Sequence, residues 1–200
     1  MAKLKLTKNE QKKQKDSLKR FQRYLPTLML KKQQLQAEIR AVETKYGELR
    51  KQRDDLQEEF NKWVAVFAEE GVFTPDVLTI TQLITEEGNI AGVPIPVFVR
   101  VDFEVSQYDL VEKPLWLDIA IDKMKSALSL DLELGTLEEQ QRRLRKELQT
   151  TSQRVNLFEK IKIPEAKANI KKIAVYLGDQ QTAAVVRGKI SKRGMEKVAQ

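Results

Sequence analysis

Histidine and cysteine supply most proton transfer, thiol chemistry and zinc ligation in proteins, and this sequence of 200 residues contains neither. Composition alone therefore excludes disulfides, thiolate or imidazole zinc sites, cysteine nucleophiles and imidazole bases. Carboxylates remain for acid/base work or an oxygen-ligand cation site, and the adjacent pairs Glu69-Glu70 and Glu86-Glu87 are the candidates. Neighbouring residues on a helix do not share a face, so both pairs read as solvated. The stretch Gly88 to Gly92 lacks the lysine and the spacing of a phosphate-binding loop. Trp63 and Trp116 could stack on a ligand, but one falls on an apolar helical stripe and the other just after a helix start, which predicts core packing. No catalytic, cofactor or metal site is assigned, and the chain reads as a non-enzyme.

Charge is the more informative property. Lys and Arg number 36 against 29 acids, a net +7. Residues 1–24 hold 9 basic and 2 acidic side chains and residues 160–200 hold 10 and 3, so the segment between is net −7. Lys8, Lys12, Lys13, Lys15, Lys19, Arg20, Arg187 and Lys189 form a candidate basic tip if the two ends meet. Nucleic acid fits it poorly: Phe21 falls on the apolar stripe, which leaves Tyr24 as the one free ring for stacking on bases, and no reading motif is present. No apolar run approaches the about 18 residues of a membrane span, so direct membrane insertion is not expected. The opening MAKLKLTKNEQKKQKD has no apolar secretory core, and a cytoplasmic location is expected.

The elements that position these charges follow from periodicity. Steps of three and four from Leu18 give Leu18, Phe21, Leu25, Leu28, Lys32, Leu35, Ile39, Val42, Tyr46, Leu49, Arg53, Leu56, Phe60, Trp63 and Phe67, apolar at all but Lys32 and Arg53. So long a stripe predicts a coiled-coil helix over 7–70, about 95 Å at 1.5 Å per residue. Thr7, with Glu10 three residues on, suits its start, and Pro26 removes the bond to Gln22 and should bend it. A second helix is expected over 114–187, opened by Pro114 with Asp118 and Asp122 near its positive end. Its seam is Leu134, Leu137, Gln141, Leu144, Leu148, Thr151, Val155 and Phe158, followed by Ile163, Ala166, Ile170, Ile173, Leu177, Gln180 and Ala184. The two runs differ by one residue in phase, and Pro164 at the junction predicts a stutter or kink. Gly188 and Gly194 predict a fraying basic tail over 188–200.

Residues 71–113 read differently. Prolines 75, 94, 96 and 114 punctuate the region, and Val97, Val99, Val101, Phe103 and Val105 alternate with Phe98, Arg100, Asp102, Glu104 and Ser106, the period of a strand with one buried face. Val77 to Thr85 is its expected partner, with turn chemistry at Glu87-Gly88-Asn89 and Ala91-Gly92. Gly92, Pro96, Val99, Val101 and Phe103 are assigned to this hairpin. The predicted fold is mainly α, one elongated domain: a long antiparallel two-helix coiled coil formed by the N- and C-terminal helices, with a mid-chain β-hairpin and short connecting segments.

Arg154-Val155-Asn156, Glu159, Ile163-Pro164 and Ile170-Lys171 with Ile173, together with Leu6-Thr7-Lys8, Leu18, Lys31-Lys32 with Leu35, and Asn89-Ile90, Gly92-Val93 and Pro96, span nearly the whole chain. In that order they resemble the D subunits of V-type and archaeal-type rotary ATPases. The sequence departs from that pattern at Gln11, Tyr24, Gln33-Gln34 and Phe158. The resemblance implies a central stalk that couples ATP hydrolysis or synthesis in a catalytic head to ion translocation through a membrane ring by transmitting torque. It implies as partners the catalytic A and B subunits, the small F subunit of the stalk and the socket subunit of the membrane ring (C or d type), with the protein peripheral to the membrane. Another class shares the outline: prefoldin-like chaperones also place a hairpin between coiled-coil helices, and a plain coiled-coil scaffold is a third reading. A homogeneous assembly of this chain alone would favour either over a stalk.

Overall fold

The computed structural model describes residues 4–67, 77–106, 114 and 116–198. Its elements, in order, are α1 (Lys8–Phe67), β1 (Leu78–Ile90), β2 (Val93–Val105), α2 (Trp116–Asn156), a π-helical segment (Leu157–Lys162) and α3 (Ile163–Val198). They divide into two compact units, Gln33–Gln149 and Met1–Lys32 with Thr150–Gln200. The expected helix end at Glu70 and the pair Glu69-Glu70 lie outside the described residues, as does the side chain of Trp63.

In the unit Gln33–Gln149, α1 and α2 run antiparallel. Lys45 Nζ donates to Glu133 at 2.8 Å, Arg53 Nε to Asp131 at 3.0 Å, and Lys123 pairs with Glu59, so partners on α2 move backward as α1 advances. Leu35, Ile39 and Val42 from α1 and Leu137 and Leu144 from α2 form the buried core, with Tyr46, Leu49 and Leu148 packed against it. Each fully buried Leu contributes about 1.5–3 kcal/mol relative to exposure, whereas an exposed ion pair contributes about 0.2–1 kcal/mol, so apolar contact holds the pair and charge sets its register.

The hairpin is part of the same core. Val93 and Ile95 are buried in the cluster of Leu35, Ile39, Leu137 and Leu144, so the turn end of the sheet lies against both helices. Near the other end, Val77 packs with Leu117 and Ile121, with Leu78, Val105 and Trp116 beside them. Trp116 is thus a packing residue. The predicted single buried face of β2 needs correction: Val97 and Val99 are exposed, and burial is concentrated at Val93 and Ile95. The cause is the register. It shifts between Ile84 and Thr85, leaving Val99 extra on β2 and interrupting that strand's alternation beyond Val97, and between Ile80 and Gln82, leaving Thr81 extra on β1. The expected turn at Glu87-Gly88-Asn89 is instead paired strand, and the reversal occurs at Ala91-Gly92 alone, both with positive φ (52° and 79°). Asn89 Oδ1 accepts the Gly92 N–H at 2.9 Å and holds the turn closed.

In the other unit, Thr7 caps α1: Glu10 N–H donates to its hydroxyl at 3.3 Å and Gln11 N–H to its carbonyl at 3.0 Å. The helix continues through Pro26. Phe21 and Phe158 pack ring on ring with centroids 5.3 Å apart, Leu18 is half-buried, and Val155, Ala166 and Ile173 are buried. The π-helical segment ends just before Pro164, and the N–H of Ile163 bonds to the carbonyl of Phe158, five residues back. That wider turn takes up the one residue by which the two seams are out of phase. Two expectations at the C-terminal end fail. Gln180 and Ala184 are exposed, so the covered seam ends at half-buried Leu177, and the helix passes Gly188 and Gly194 without fraying, as far as Val198.

A methyl group added at Gly92 would meet no atom within 4 Å, so Gly92→Ala isolates the backbone cost of its positive φ. The substitution is expected to lower stability by about 1–2 kcal/mol with no change in helix content, measured by urea unfolding followed by circular dichroism.

Candidate functional site

Two surfaces combine charge with defined geometry, one in each unit. The first fastens the hairpin to α2. Gln140, buried, donates Nε2–H to the carbonyl of Pro96 at 2.6 Å, and Arg143 donates Nη1–H to the carbonyl of Pro94 at 3.2 Å. Glu139 orients that arginine: its carboxylate accepts Arg143 Nε at 2.7 Å and Arg142 Nε and Nη2 at 2.6 and 2.7 Å. The bonds from Arg142 and then Arg143 hold the Glu139 carboxyl down at about 2, against an ordinary 4.5. Nearby, Tyr46 donates its hydroxyl to Glu138 Oε1 at 2.7 Å across the helix pair, and that bond, with burial and the carboxylate charge, raises the phenol above its usual value. A groove of about 340 Å³ beside it is lined by Arg50, Arg53, Asp54, Asp131 and Gly135, and its charges alternate in sign. Among the described residues no acidic cluster could hold a metal ion. Glu86 and Glu87 are exposed on β1. These contacts fasten the hairpin to the helix pair.

The second surface is the basic part of the other unit. Lys8, Lys12, Lys15 and Lys19 follow one another by four, three and four residues, one outward stripe of α1, and Lys13 and Arg20 stand on its other flank. All six are exposed, and Arg20 donates Nη2–H to the Ser17 hydroxyl at 3.3 Å. Arg187 and Lys189 are also exposed but stand elsewhere. Phe21 faces Phe158; Lys8 lies thirteen positions before the first, so in an antiparallel pair the start of α1 falls opposite Lys171, thirteen after the second. From Gly178 to Met195 every residue of α3 is exposed, including Val185, Val186, Ile190 and Met195. Arg187 and Lys189 therefore sit on a helical extension beyond the start of α1, apart from the basic residues of α1.

The seam residues distribute plainly. Leu35, Ile39, Leu144, Val155 and Ile173 are buried, and Leu18, Leu49, Leu56, Leu148, Ile170 and Leu177 are half-buried. Of the hairpin residues, Gly92 forms the turn, Pro96 accepts from Gln140, Val101 and Phe103 are half-buried, and Val99 is the exposed bulge residue. Sequence reasoning missed the Glu139–Arg143–Gln140 fastening. Its one sequence signal is the pair of polar residues Thr136 and Gln140 flanking the seam position Leu137, and both are buried.

Comparison with known proteins bears on both surfaces. The sequence profile of a family described as the D subunit of ATP synthase matches residues 10–193. The V-type ATP synthase D subunit of Borreliella burgdorferi is 49% identical over 197 residues, covering 98% of this chain and 97% of that protein. Proteins of the same name from Chlamydia pneumoniae and Chlamydia muridarum are 35% and 32% identical over 201 and 200 residues; each match covers 96% of this chain, and 93% and 96% of those proteins.

The acid dependence of the fastening follows from Glu139. A carboxyl held below its ordinary value favours the folded state fully above pH 4.5 and loses that contribution as pH falls toward about 2. Thermal unfolding of Glu139→Gln should therefore lose midpoint less steeply than the parent across that interval, with the two curves parallel above it.

Proposed function

The chain belongs to the family of ATP synthase D subunits, and from that membership we infer how its geometry is used. It is a stalk subunit of a V/A-type rotary ATPase, one part of a membrane-associated complex that couples ATP chemistry to ion movement. No helix among the described residues is long and apolar enough to cross a membrane. Membership along nearly the whole chain sets aside the chaperone and scaffold readings.

Within that role, we propose that the chain is a non-catalytic rotor shaft. Its end works inside the head formed by the A and B subunits, its side is held by the small F subunit of the stalk, and its other end fits the socket subunit of the membrane ring. One observation carries this reading: α3 continues beyond its covered seam with basic and apolar side chains exposed together. A solvated extension of this length has no reason to keep Val185, Val186 and Ile190 on its surface, whereas an extension enclosed by a protein sleeve does. Lys8, Lys12, Lys13, Lys15 and Lys19 form no ion pair among the described residues. Long, solvated ammonium groups can exchange acidic partners at about 0.2–1 kcal/mol per contact, which suits turning against a wall better than a single locked geometry does.

Torque transfer needs both the shaft end and the stiffness of the paired helices. Removing residues 187–200, or in a separate variant 1–24, is expected to leave ATP hydrolysis by the assembled complex measurable while ion pumping falls several-fold. Parallel assays of phosphate release and of ion uptake into vesicles read the two quantities. Pumping fully coupled to hydrolysis in both truncations would overturn the shaft reading.

A further inference from the structure

A two-stranded sheet has two open edges, and this hairpin treats them differently. Ile90 and Val93 close the two-residue turn as a hydrogen-bonded pair, so the pairs that follow alternate: Asn89 with Pro94 not bonded, Gly88 with Ile95 bonded, Glu87 with Pro96 not bonded, and so on to Thr85 with Phe98. At the non-bonded pairs both residues turn their backbone groups away from the partner strand. On β2 that edge is shut at two of its three outward residues. Pro94 and Pro96 have no N–H to offer, and their carbonyls are taken by Arg143 and Gln140. On β1 the equivalent residues are Thr85, Glu87 and Asn89, all exposed, and among the described residues no backbone or side-chain group bonds to their outward N–H groups. The strand is 13 residues long and contains neither proline nor lysine, the residues that ordinarily blunt an edge.

We propose that the outer edge of β1 is a docking surface for an extended segment of another polypeptide, which adds to the sheet as a third strand. Main-chain hydrogen bonds to Thr85, Glu87 and Asn89 supply the contact. Charge sets the kind of guest. Between Leu78 and Val105 the hairpin carries Glu86, Glu87, Asp102 and Glu104 against Arg100, so the guest strand bears lysine or arginine opposite Glu86 and Glu87. Leu83, 40% exposed, provides an apolar neighbour for the next guest residue along. The same charge disfavours a second copy of this chain, which would bring two acidic hairpins together. The proposal rests on the subunit reading, because the guest is taken to be another polypeptide of the ATPase complex.

Amide hydrogen exchange at Thr85, Glu87 and Asn89 tests it, in the full chain alone and in the reconstituted complex. Exchange at all three should slow at least about tenfold on assembly. Glu87→Pro removes one outward N–H opposite Pro96, where this ladder already accommodates a proline; the free variant should keep the parental melting temperature yet lose the protection in the complex, and Glu86→Lys with Glu87→Lys should weaken it too. A complex that forms with unchanged exchange at these amides would overturn the proposal and leave the subunit reading intact. Protection that grows with the concentration of the free chain would replace the guest by a second copy. Failure to enter the complex at all would remove the subunit reading and this proposal with it.

Discussion

Everything in this protein depends on an apolar stripe too long for one helix to hide. A helix with an apolar residue every three or four positions from Leu18 to Phe60 is stable in water only when another helix covers that face, and Leu35 and Leu144 lose all exposure in doing so. The consequences spread from there. Because the covering helix lies in the same chain and runs the other way, the intervening residues must return the chain at one end, and the hairpin does this while adding Val93 and Ile95 to the shared core. Ion pairs such as Arg53 with Asp131 then select one register among those the apolar contacts would tolerate.

The division between what the sequence reveals and what it conceals follows the same physics. The stripe of α1 was legible because period is local: every position from Leu18 to Phe60 that the three-and-four stepping names is buried or half-buried. The junction near Pro164 was legible as a phase slip, since a proline and an extra residue coincide there. The end of the seam was not. Gln180 and Ala184 keep the pattern but are exposed, because coverage depends on where the partner helix starts, which no repeat in α3 records.

The hairpin illustrates the opposite limit. Alternation identified β2, yet which of its residues are buried depends on two bulges and on contact with Leu35 and Leu137, distant in sequence. A strand pattern gives the period and not the point at which an extra residue interrupts it. The fastening by Gln140 and Arg143 was hidden for a related reason: a glutamine and an arginine on a charged helix resemble solvated residues until two proline carbonyls are placed against them. For the basic residues, composition disclosed the sign of the surface, while only the register of Phe21 against Phe158 separated Arg187 and Lys189 from the lysines of α1.

The π-helical turn also acts as an angular setting. In a helix of 3.6 residues per turn, one residue corresponds to about 100° of rotation about the axis. By absorbing a residue between Leu157 and Lys162, the turn rotates all of α3 by that amount relative to an unbroken helix. The compass directions in which Arg187, Lys189 and Ile190 project are thus fixed more than twenty residues upstream, by a segment remote from all three. Gaining or losing one residue there would re-aim the whole C-terminal extension without changing its composition.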